Sequence, residues 1–491
     1  MYVSLHQIIN MSVAFDRNTK IFMGLGIILF FLILREAILI PLTHDEYSTI
    51  MVSYQSLWDI ITYKDPIPNN HILNTLLLKL NIVTFGDQLL TNRIHNVLSF
   101  IPYFVFTVLL AKRLTNTLIL QSALVCMMTL QPFLLDFFSV TRGYGLSVCF
   151  QVISIYYAVA YIQDIKSKFY FKSIVFGAIA VIANFTLLNY FLPLIAILFY
   201  FSFKNHFDNH IRNFKLESSF SVAIVILLGL ICYLPFSKMV STNQFVFWSS
   251  NNFYNDTIVP LLSSLKSGVF YFKWNEGIFS IVFLSLIGIL FAISLIFSKE
   301  KIWKDKIFQF SLLILFITIL YNNVQFYLIN VPFLNARTSL FFIPLVALFI
   351  FSILNHLYIN HLNTGKIISM VITLLCAQHF ARGYNGRVNY EWYFNQNTYE
   401  VLDELMYEIN SKNLTKPVLL DCHWFYHPSL TYHINQKYRG VIDLVPYHKE
   451  TNPKSEALFY YSEPGEADLL SEDYTRIKEF SGTYSILWKK K

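Results

Sequence analysis

Long apolar segments recur along this chain from residue 21 to residue 383, and they constrain its fold more than any other feature. A helix needs roughly 20 apolar residues to cross a bilayer, and about eleven segments approach that length. They lie near residues 21–41, 96–111, 116–135, 143–162, 172–186, 187–203, 217–235, 278–297, 308–328, 338–357 and 366–383. Only 14% of the residues are charged, whereas soluble domains are about a quarter charged. We therefore predict a polytopic α-helical membrane protein with about eleven transmembrane helices.

The basic residues predict how this bundle is oriented. Lys and Arg are concentrated in alternate connections, such as Arg17 with Lys20, Lys112 with Arg113, and Lys166 with Lys168. Cytoplasmic loops of membrane proteins carry such an excess. We therefore expect the inner (cytoplasmic) membrane, a cytoplasmic N-terminus and an exoplasmic C-terminal region. The net charge of +7 lies in these short loops, so it does not indicate a nucleic-acid partner.

Composition divides the chain into two predicted domains. Residues 1–384 form the transmembrane domain, with a long first exoplasmic loop at 42–95, and residues 385–491 read as a soluble exoplasmic domain. In the second domain, "TYEVLDELMYEINSK" and "HPSLTYHINQKY" have helical patterns, whereas "KPVLLD", "ALFYYS" and "TYSILWK" resemble strands. Helices alternating with strands predict a small α/β domain.

Polar side chains gather in the predicted exoplasmic connections of the first domain and again before a late span. The first apolar run stops at "PLTHDEYSTI", where Asp45 and Glu46 follow at once. Polar groups at the membrane boundary usually face a cavity or a partner, although an acidic pair can also be an ordinary solvated helix end. The other candidates are Asn70, His71, Asp136, Arg142 and Arg337. Arg337 could instead be an arginine that extends to the lipid headgroups.

Carboxylates and arginines on one membrane face suit glycosyl transfer from a lipid phosphate. An Asp or Glu can deprotonate an acceptor hydroxyl, and cations can stabilise the departing phosphate. Such a donor needs no nucleotide, and the chain contains neither Gly-rich nucleotide-binding motif. Asp45 and Glu46 could also hold a divalent cation through oxygen ligands. The pattern does not distinguish a base from a metal ligand, nor one acid from the other.

Four motifs, in this order, resemble the GT-C superfamily of membrane glycosyltransferases. They are "THDEYSTI", "NNHILNTLLLKLNIVTFGDQLLTNRIHNVLSF", "QPFLLDFFSVTRGYGLSV" and "VPFLNARTSLFFIPLVAL". The resemblance is to the branch that contains protein O-mannosyltransferases, lipid A aminoarabinose transferases and bacterial relatives. Val140 stands where that branch has a Glu, and Asp136 is the nearest acid.

This resemblance implies an inverting transferase that uses a polyprenyl-phosphate sugar at the external membrane face. Asp45 would be the catalytic base, and Glu46 would orient it or help to bind a metal. The remaining implied roles are lining of the donor site (Asn70, His71), shaping of the cavity (Asp136, Arg142) and holding of the lipid phosphate (Arg337). The acceptor would be a glycolipid, a polysaccharide or a protein, and residues 385–491 would cover the site.

Two other classes of protein compete with the enzyme. A transporter or flippase of cell-envelope glycans would also have many spans and intramembrane acids, but its polar groups should lie near the bilayer midplane. A receptor-like anchor for the C-terminal domain would not require so many spans. The one-sided distribution of polar residues favours the transferase.

Overall fold

The computed structural model describes residues 17–209, 213–244, 251–269, 275–298 and 300–491. The predicted class, a polytopic helical membrane protein with a small C-terminal α/β region, is confirmed. The long helices are α1 (Arg17–Leu39), α5 (Leu89–Leu114), α8 (Gly143–Asp164), α9 (Ser167–Ala183), α10 (Leu188–Asn209), α11 (Phe214–Ser241), α13 (Glu276–Ser298), α15 (Lys306–Ile329), α16 (Phe342–Asn360) and α17 (Leu362–Gly383). Shorter helices are α2 (His44–Ser53), α3 (Leu57–Ile61), α4 (Ile72–Phe85), α6 (Leu118–Thr129), α7 (Pro132–Ser139), α12 (Val259–Leu265) and α14 (Lys301–Lys304).

The number of spans is lower than the predicted eleven when length and composition are the criteria. Within the described ranges nine helices are long and apolar enough to cross a membrane, or ten if the bent pair α6 and α7 is one span. The predicted span at 172–186 corresponds to α9, which has 17 residues. At about 1.5 Å per residue, α9 is shorter than the hydrocarbon core.

Successive long helices nevertheless run between two opposite ends of the bundle. At one end, Asn74 donates to the Thr141 carbonyl and Arg35 to the Gly386 carbonyl. At the other end, Lys112 donates to Thr19 (2.7 Å) and Asn213 to Ser167 (2.9 Å). We call the first the site end. The loops after α1, α7, α9, α15 and α17 all meet there, which explains why residues far apart in sequence become neighbours.

Burial differs strongly between the centre and the periphery of this bundle. Along α8, 83% of the most apolar stretch is buried, compared with 11% for α13. Large apolar side chains of α13, such as Ile281 and Leu286, face outward. Because lipid tails are themselves apolar, such outward faces are stable in a bilayer.

The C-terminal region forms one five-stranded sheet with helices packed on it. Its strands are β1 (Val418–Cys422), β2 (Ile442–Leu444), β3 (Phe459–Ser462), β4 (Tyr474–Glu479) and β5 (Ile486–Lys490). The order is β2-β1-β3-β5-β4, and β1 is parallel to β2 and β3. Helices α18 (Thr398–Ser411) and α19 (His427–His433) bury Val401, Leu405 and Leu430 against strand residues, and α20 is Ala467–Leu470.

Two of these strands have no counterpart in the sequence prediction. Strand β2 has only three residues, too few for an alternating pattern. Strand β4 is an edge strand with the sequence "YTRIKE", in which mainly Tyr474 is buried. Charged residues are common on edge strands because they prevent pairing with other chains, and they also hide the strand from an apolar pattern.

The C-terminal domain is attached to the site end of the bundle. The Leu42 amide donates to His433 Nε2 (3.1 Å), and the His44 amide donates to Asn395 Oδ1 (3.0 Å). Tyr432 donates to Asp87 (3.2 Å). The domain therefore contacts the backbone on both sides of Thr43, where α2 begins.

Candidate active site

The first turn of α2 positions both residues of the acidic pair. Thr43 caps this helix: its hydroxyl accepts from the Glu46 amide (3.3 Å), and Glu46 Oε2 accepts from the Thr43 amide (2.9 Å). This reciprocal capping box begins α2 directly after the connection from α1. Acids are also favoured in a first helical turn by the helix dipole. The same local sequence that begins the helix therefore fixes the direction of Asp45.

Glu46 is completely engaged by its neighbours. Arg93 donates to Glu46 Oε1 (2.8 Å) and Oε2 (2.6 Å), and the Thr141 amide donates to Oε1 (2.8 Å). Both charged side chains are fully buried. Burial would raise the pKa of Glu46, but Arg93 outweighs it and lowers the pKa. Glu46 therefore joins α2, α5 and the α7–α8 loop, and its oxygens have their partners within the protein.

Arg93 also stabilises the end of the first long helix. Its guanidinium donates to the carbonyls of Ala37 (3.1 Å), Ile40 (2.7 Å) and Pro41 (3.0 Å). The last carbonyls of a helix have no partner within the helix. Arg93 thus bonds the last carbonyls of α1 and also Glu46. One buried arginine therefore fixes the end of α1 relative to the start of α2, where Asp45 lies.

Asp45 lies between two arginines from distant parts of the chain. Arg337 Nη2 is 3.1 Å from Asp45 Oδ2, and Arg142 Nη2 is 3.7 Å from the same oxygen. The side chain of Asn69 donates through Nδ2 to Asp45 Oδ1 at 3.4 Å. Burial would by itself raise the pKa of Asp45, but Arg337 and Arg142 outweigh it and lower the pKa to about 2. Asp45 is therefore a carboxylate at neutral pH.

Arg142 is held rigidly behind Asp45. Its guanidinium donates to Asn69 Oδ1 (3.0 Å), to the Asn69 carbonyl (3.2 Å) and to the Thr49 hydroxyl (3.1 Å). Its side chain is 1% exposed and lies near the ring of Tyr144. Asn69 thus contacts both Asp45 and Arg142. Sequence reasoning missed it, although it directly precedes the predicted Asn70 and His71.

Arg337 is the more accessible of the two arginines. It follows α15 in a short 3₁₀ turn, and its side chain is 28% exposed. Its second fork nitrogen donates to Glu391 Oε1 (2.7 Å), and it lies over the Trp392 ring, 5.3 Å from the centroid. Burial raises the pKa of Glu391 although Arg337 opposes this. Sequence reasoning missed Glu391 and Trp392, because they lie after the last span in "NYEWYF", where no pattern marks them.

Asn70 and His71 have different environments in the structure. Asn70 donates to the Ile60 carbonyl (2.9 Å) and accepts from Thr75 (3.0 Å), so it fixes the start of α4. The His71 ring packs edge-on against Tyr144, and burial together with Arg142 holds its pKa well below the ordinary value. His71 is therefore neutral and cannot supply a positive charge to a phosphate.

Asp136 is not in contact with Asp45. Its Oδ2 accepts from the Tyr390 amide at 2.9 Å. It therefore anchors the segment between α17 and the C-terminal domain, two residues before the Trp392 that contacts Arg337. This contact supports the segment, and the role of Asp136 in shaping the cavity stays a prediction from the sequence.

A cavity of about 470 Å³ opens beside these groups. His71, Tyr144 and Thr338 line it on the side of the two arginines. Other parts of its wall are apolar, with Phe236, Met239, Ile329, Val331 and Leu334. Such an amphipathic cavity fits a ligand with both polar and apolar parts.

A divalent cation at Asp45 and Glu46 remains a prediction from the sequence. In the described part of the chain, no group of three or more His, Cys, Asp or Glu side chains is arranged to hold a metal ion. The oxygens of Glu46 accept bonds from Arg93, Thr43 and Thr141 instead.

Comparisons with known proteins gave structural neighbours only. No family model matches the chain, and no curated protein matches it. The fold is similar to that of ArnT from Cupriavidus metallidurans in the apo state, with a TM-score of 0.49, 9% identity and coverage of 96% of this chain and 97% of that chain. It is similar to the same ArnT bound to undecaprenyl phosphate, with a TM-score of 0.48 and the same identity and coverage.

Proposed function

We propose that this protein is a membrane glycosyltransferase that moves a sugar from a polyprenyl-phosphate donor to an acceptor hydroxyl. One observation carries the proposal: the carboxylate of Asp45 contacts Arg337 and lies near Arg142, whose neighbour Tyr144 lines an amphipathic cavity. A base and a cation within a few ångströms of each other are what this displacement requires.

In the proposed reaction Asp45 acts as the general base. The acceptor oxygen forms a bond to the anomeric carbon while the bond from that carbon to the phosphate oxygen breaks. Asp45 takes the acceptor's proton, and the electron pair leaves with the polyprenyl phosphate. A single displacement of this kind inverts the anomeric configuration.

Arg337 would receive the phosphate. Its guanidinium contacts both Asp45 and Glu391, and its side chain is 28% exposed. A phosphate at Arg337 would compete with both carboxylates for the guanidinium, since Arg binds phosphates through paired hydrogen bonds. Asp45 would then lose part of the positive charge that depresses its pKa, and it would become a stronger base when the donor is bound.

Glu46 is proposed to position Asp45 rather than to react. Its bonds to Arg93 and to the Thr141 amide leave it fully buried next to the catalytic carboxylate. Of the two roles that the sequence left open for Glu46, orientation fits this environment.

The external face of the membrane is the proposed place of reaction. The basic residues Lys112, Arg113 and Lys166 lie at the end of the bundle opposite to Asp45, where Arg113 pairs with Asp164. An excess of Lys and Arg marks cytoplasmic loops. The site end and the attached C-terminal domain are therefore proposed to be exoplasmic.

Glycan analysis of a deletion strain tests the proposal. We expect mass spectrometry to find one sugar missing from cell-surface lipids, polysaccharides or proteins, and wild-type protein to restore it. Asp45→Asn should be inserted in the membrane at normal levels and restore nothing. Asp403→Asn, which removes one exposed acid from α18, is the matched control and should restore the sugar. Restoration by Asp45→Asn would disprove the role of this residue.

A further inference from the structure

Among the residues that line the cavity, three buried polar atoms have no hydrogen-bond partner within the described part of the chain. They are His71 Nε2, Asn184 Nδ2 and Asn189 Oδ1. The three residues are only 7%, 3% and 7% exposed. Proteins seldom bury polar atoms without a partner, and such atoms in a cavity commonly meet a ligand or ordered water. Neither asparagine takes part in the proposed displacement.

The hydrogen bonds of the turn between α9 and α10 determine which end of each amide is free. Asn184 Oδ1 accepts from the Thr186 amide (3.1 Å), so the Asn184 NH₂ group is left as a donor. Asn189 Nδ2 donates to the Thr186 carbonyl (3.1 Å), so the Asn189 carbonyl oxygen is left as an acceptor. The turn thus holds one unpaired donor and one unpaired acceptor on two residues that line the same cavity.

Close backbone packing brings His71 to this turn. A Cβ on Gly143 would lie 2.1 Å from the Ala183 carbonyl oxygen and 2.7 Å from His71 Cβ. Only glycine allows α8 to start this close to both the end of α9 and the start of α4. Asn184 follows Ala183 directly, so this packing places Asn184 and His71 on the same cavity.

We infer that Asn184, Asn189 and His71 form a hydroxyl-recognition subsite that binds the sugar ring of the lipid-linked donor. This inference rests on the proposed function. A sugar hydroxyl can both donate and accept, and so it complements a free NH₂, a free carbonyl and a neutral imidazole together. The subsite shares its cavity with Tyr144, which contacts Arg142, and with the apolar wall that would face the lipid.

Lipid capture by the purified full-length protein tests the subsite. The probes are undecaprenyl phosphate and the polyprenyl-phosphate sugars extracted from membranes of the host strain, and mass spectrometry measures the bound ratio of sugar-bearing to bare lipid. Asn184→Ser keeps an oxygen that can cap Thr186 but removes the free NH₂, and Asn189→Leu removes the free carbonyl. Each should lower the bound ratio by about tenfold, the size of one lost hydrogen bond. Capture of bare undecaprenyl phosphate should not change.

The outcomes separate the two proposals. Asn213→Ser, at the opposite end of the bundle, is the control and should retain the wild-type ratio. If wild-type protein captures neither lipid, the proposed function fails. If wild-type protein prefers the sugar-bearing lipid and Asn184→Ser retains that preference while remaining folded, the subsite is wrong and the proposed function stands. A wild-type protein without preference also overturns the subsite.

Discussion

Two arginine–carboxylate pairs lie next to each other at the site end, and they differ in burial and in hydrogen bonding. Arg93 and Glu46 are fully buried, and the oxygens of Glu46 are bonded within the protein. The side chains of Arg337 and Asp45 are 28% and 13% exposed, and Tyr144 and Thr338, beside the two arginines of this site, line a cavity. Adjacent residues on a helix point about 100° apart, so neighbouring acids enter separate environments. A saturated pair stabilises structure, whereas an unsaturated pair is available to a ligand.

The largest expected difference between the two acids is in their effect on catalysis. Asp45→Asn should lower transfer of sugar by about a thousandfold, because it removes a general base. Its melting temperature should change little, since Arg142 keeps its bonds to Asn69 and Thr49. Activity assays and thermal unfolding on the same purified sample measure both.

Glu46→Gln should show the opposite profile. An amide in place of the carboxylate leaves the buried Arg93 charge without its partner, and breaking a buried pair costs about 3 kcal/mol or more in free energy of unfolding. Unfolding in detergent, followed by tryptophan fluorescence, measures this loss. A Glu46→Gln protein as stable as wild type would refute the structural role.

Arg337→Lys tests whether the cation beside Asp45 must be an arginine. A lysine keeps the positive charge but cannot bridge two acceptors with a planar fork or stack equally well on Trp392. We expect kcat/KM for the lipid-linked donor to fall by about 30-fold. Arg387→Lys, at an exposed arginine of the same linker, should have wild-type kinetics.

Glu391→Gln should have a smaller effect in the other direction. Its carboxylate occupies part of the Arg337 fork. Loss of its charge frees Arg337 for phosphate, so the affinity for undecaprenyl phosphate should rise about fivefold. Asp403→Asn removes one charge elsewhere and should leave this affinity unchanged. A weaker affinity in Glu391→Gln would contradict competition at Arg337.

The smallest effect concerns pH. The pKa of Asp45 is lowered from 3.8 to about 2 by Arg337 and Arg142, against the effect of burial. Its ionised form therefore stabilises the fold above its ordinary pKa, and this contribution is lost as the pH falls through about 2. Between about pH 5 and 8, kcat/KM should show no acid limb from Asp45. An acid limb in that range whose midpoint shifts in Arg142→Lys would contradict this, because it would show that the pKa of Asp45 is not lowered this far.

Much of the site was predictable, because its charged residues border apolar runs. Asp45, Arg142 and Arg337 stand out in the sequence for this reason, and the structure brings them together. The partner of Glu46 was not predictable, since Arg93 lies 47 positions away. Asn69 and Glu391 carry no pattern of their own. Edge strand β4 was missed for a comparable reason, because its charges are suited to solvent.

The sequence by itself determined the class of protein and the start of α2. Apolar length decides which segments can cross a membrane, and a Thr followed by Glu three residues later decides where α2 begins. Both are local properties. Only the tertiary structure decided which carboxylate lies between Arg337 and Arg142 and which is buried against Arg93, because burial and hydrogen-bond saturation depend on contacts between residues far apart in the chain.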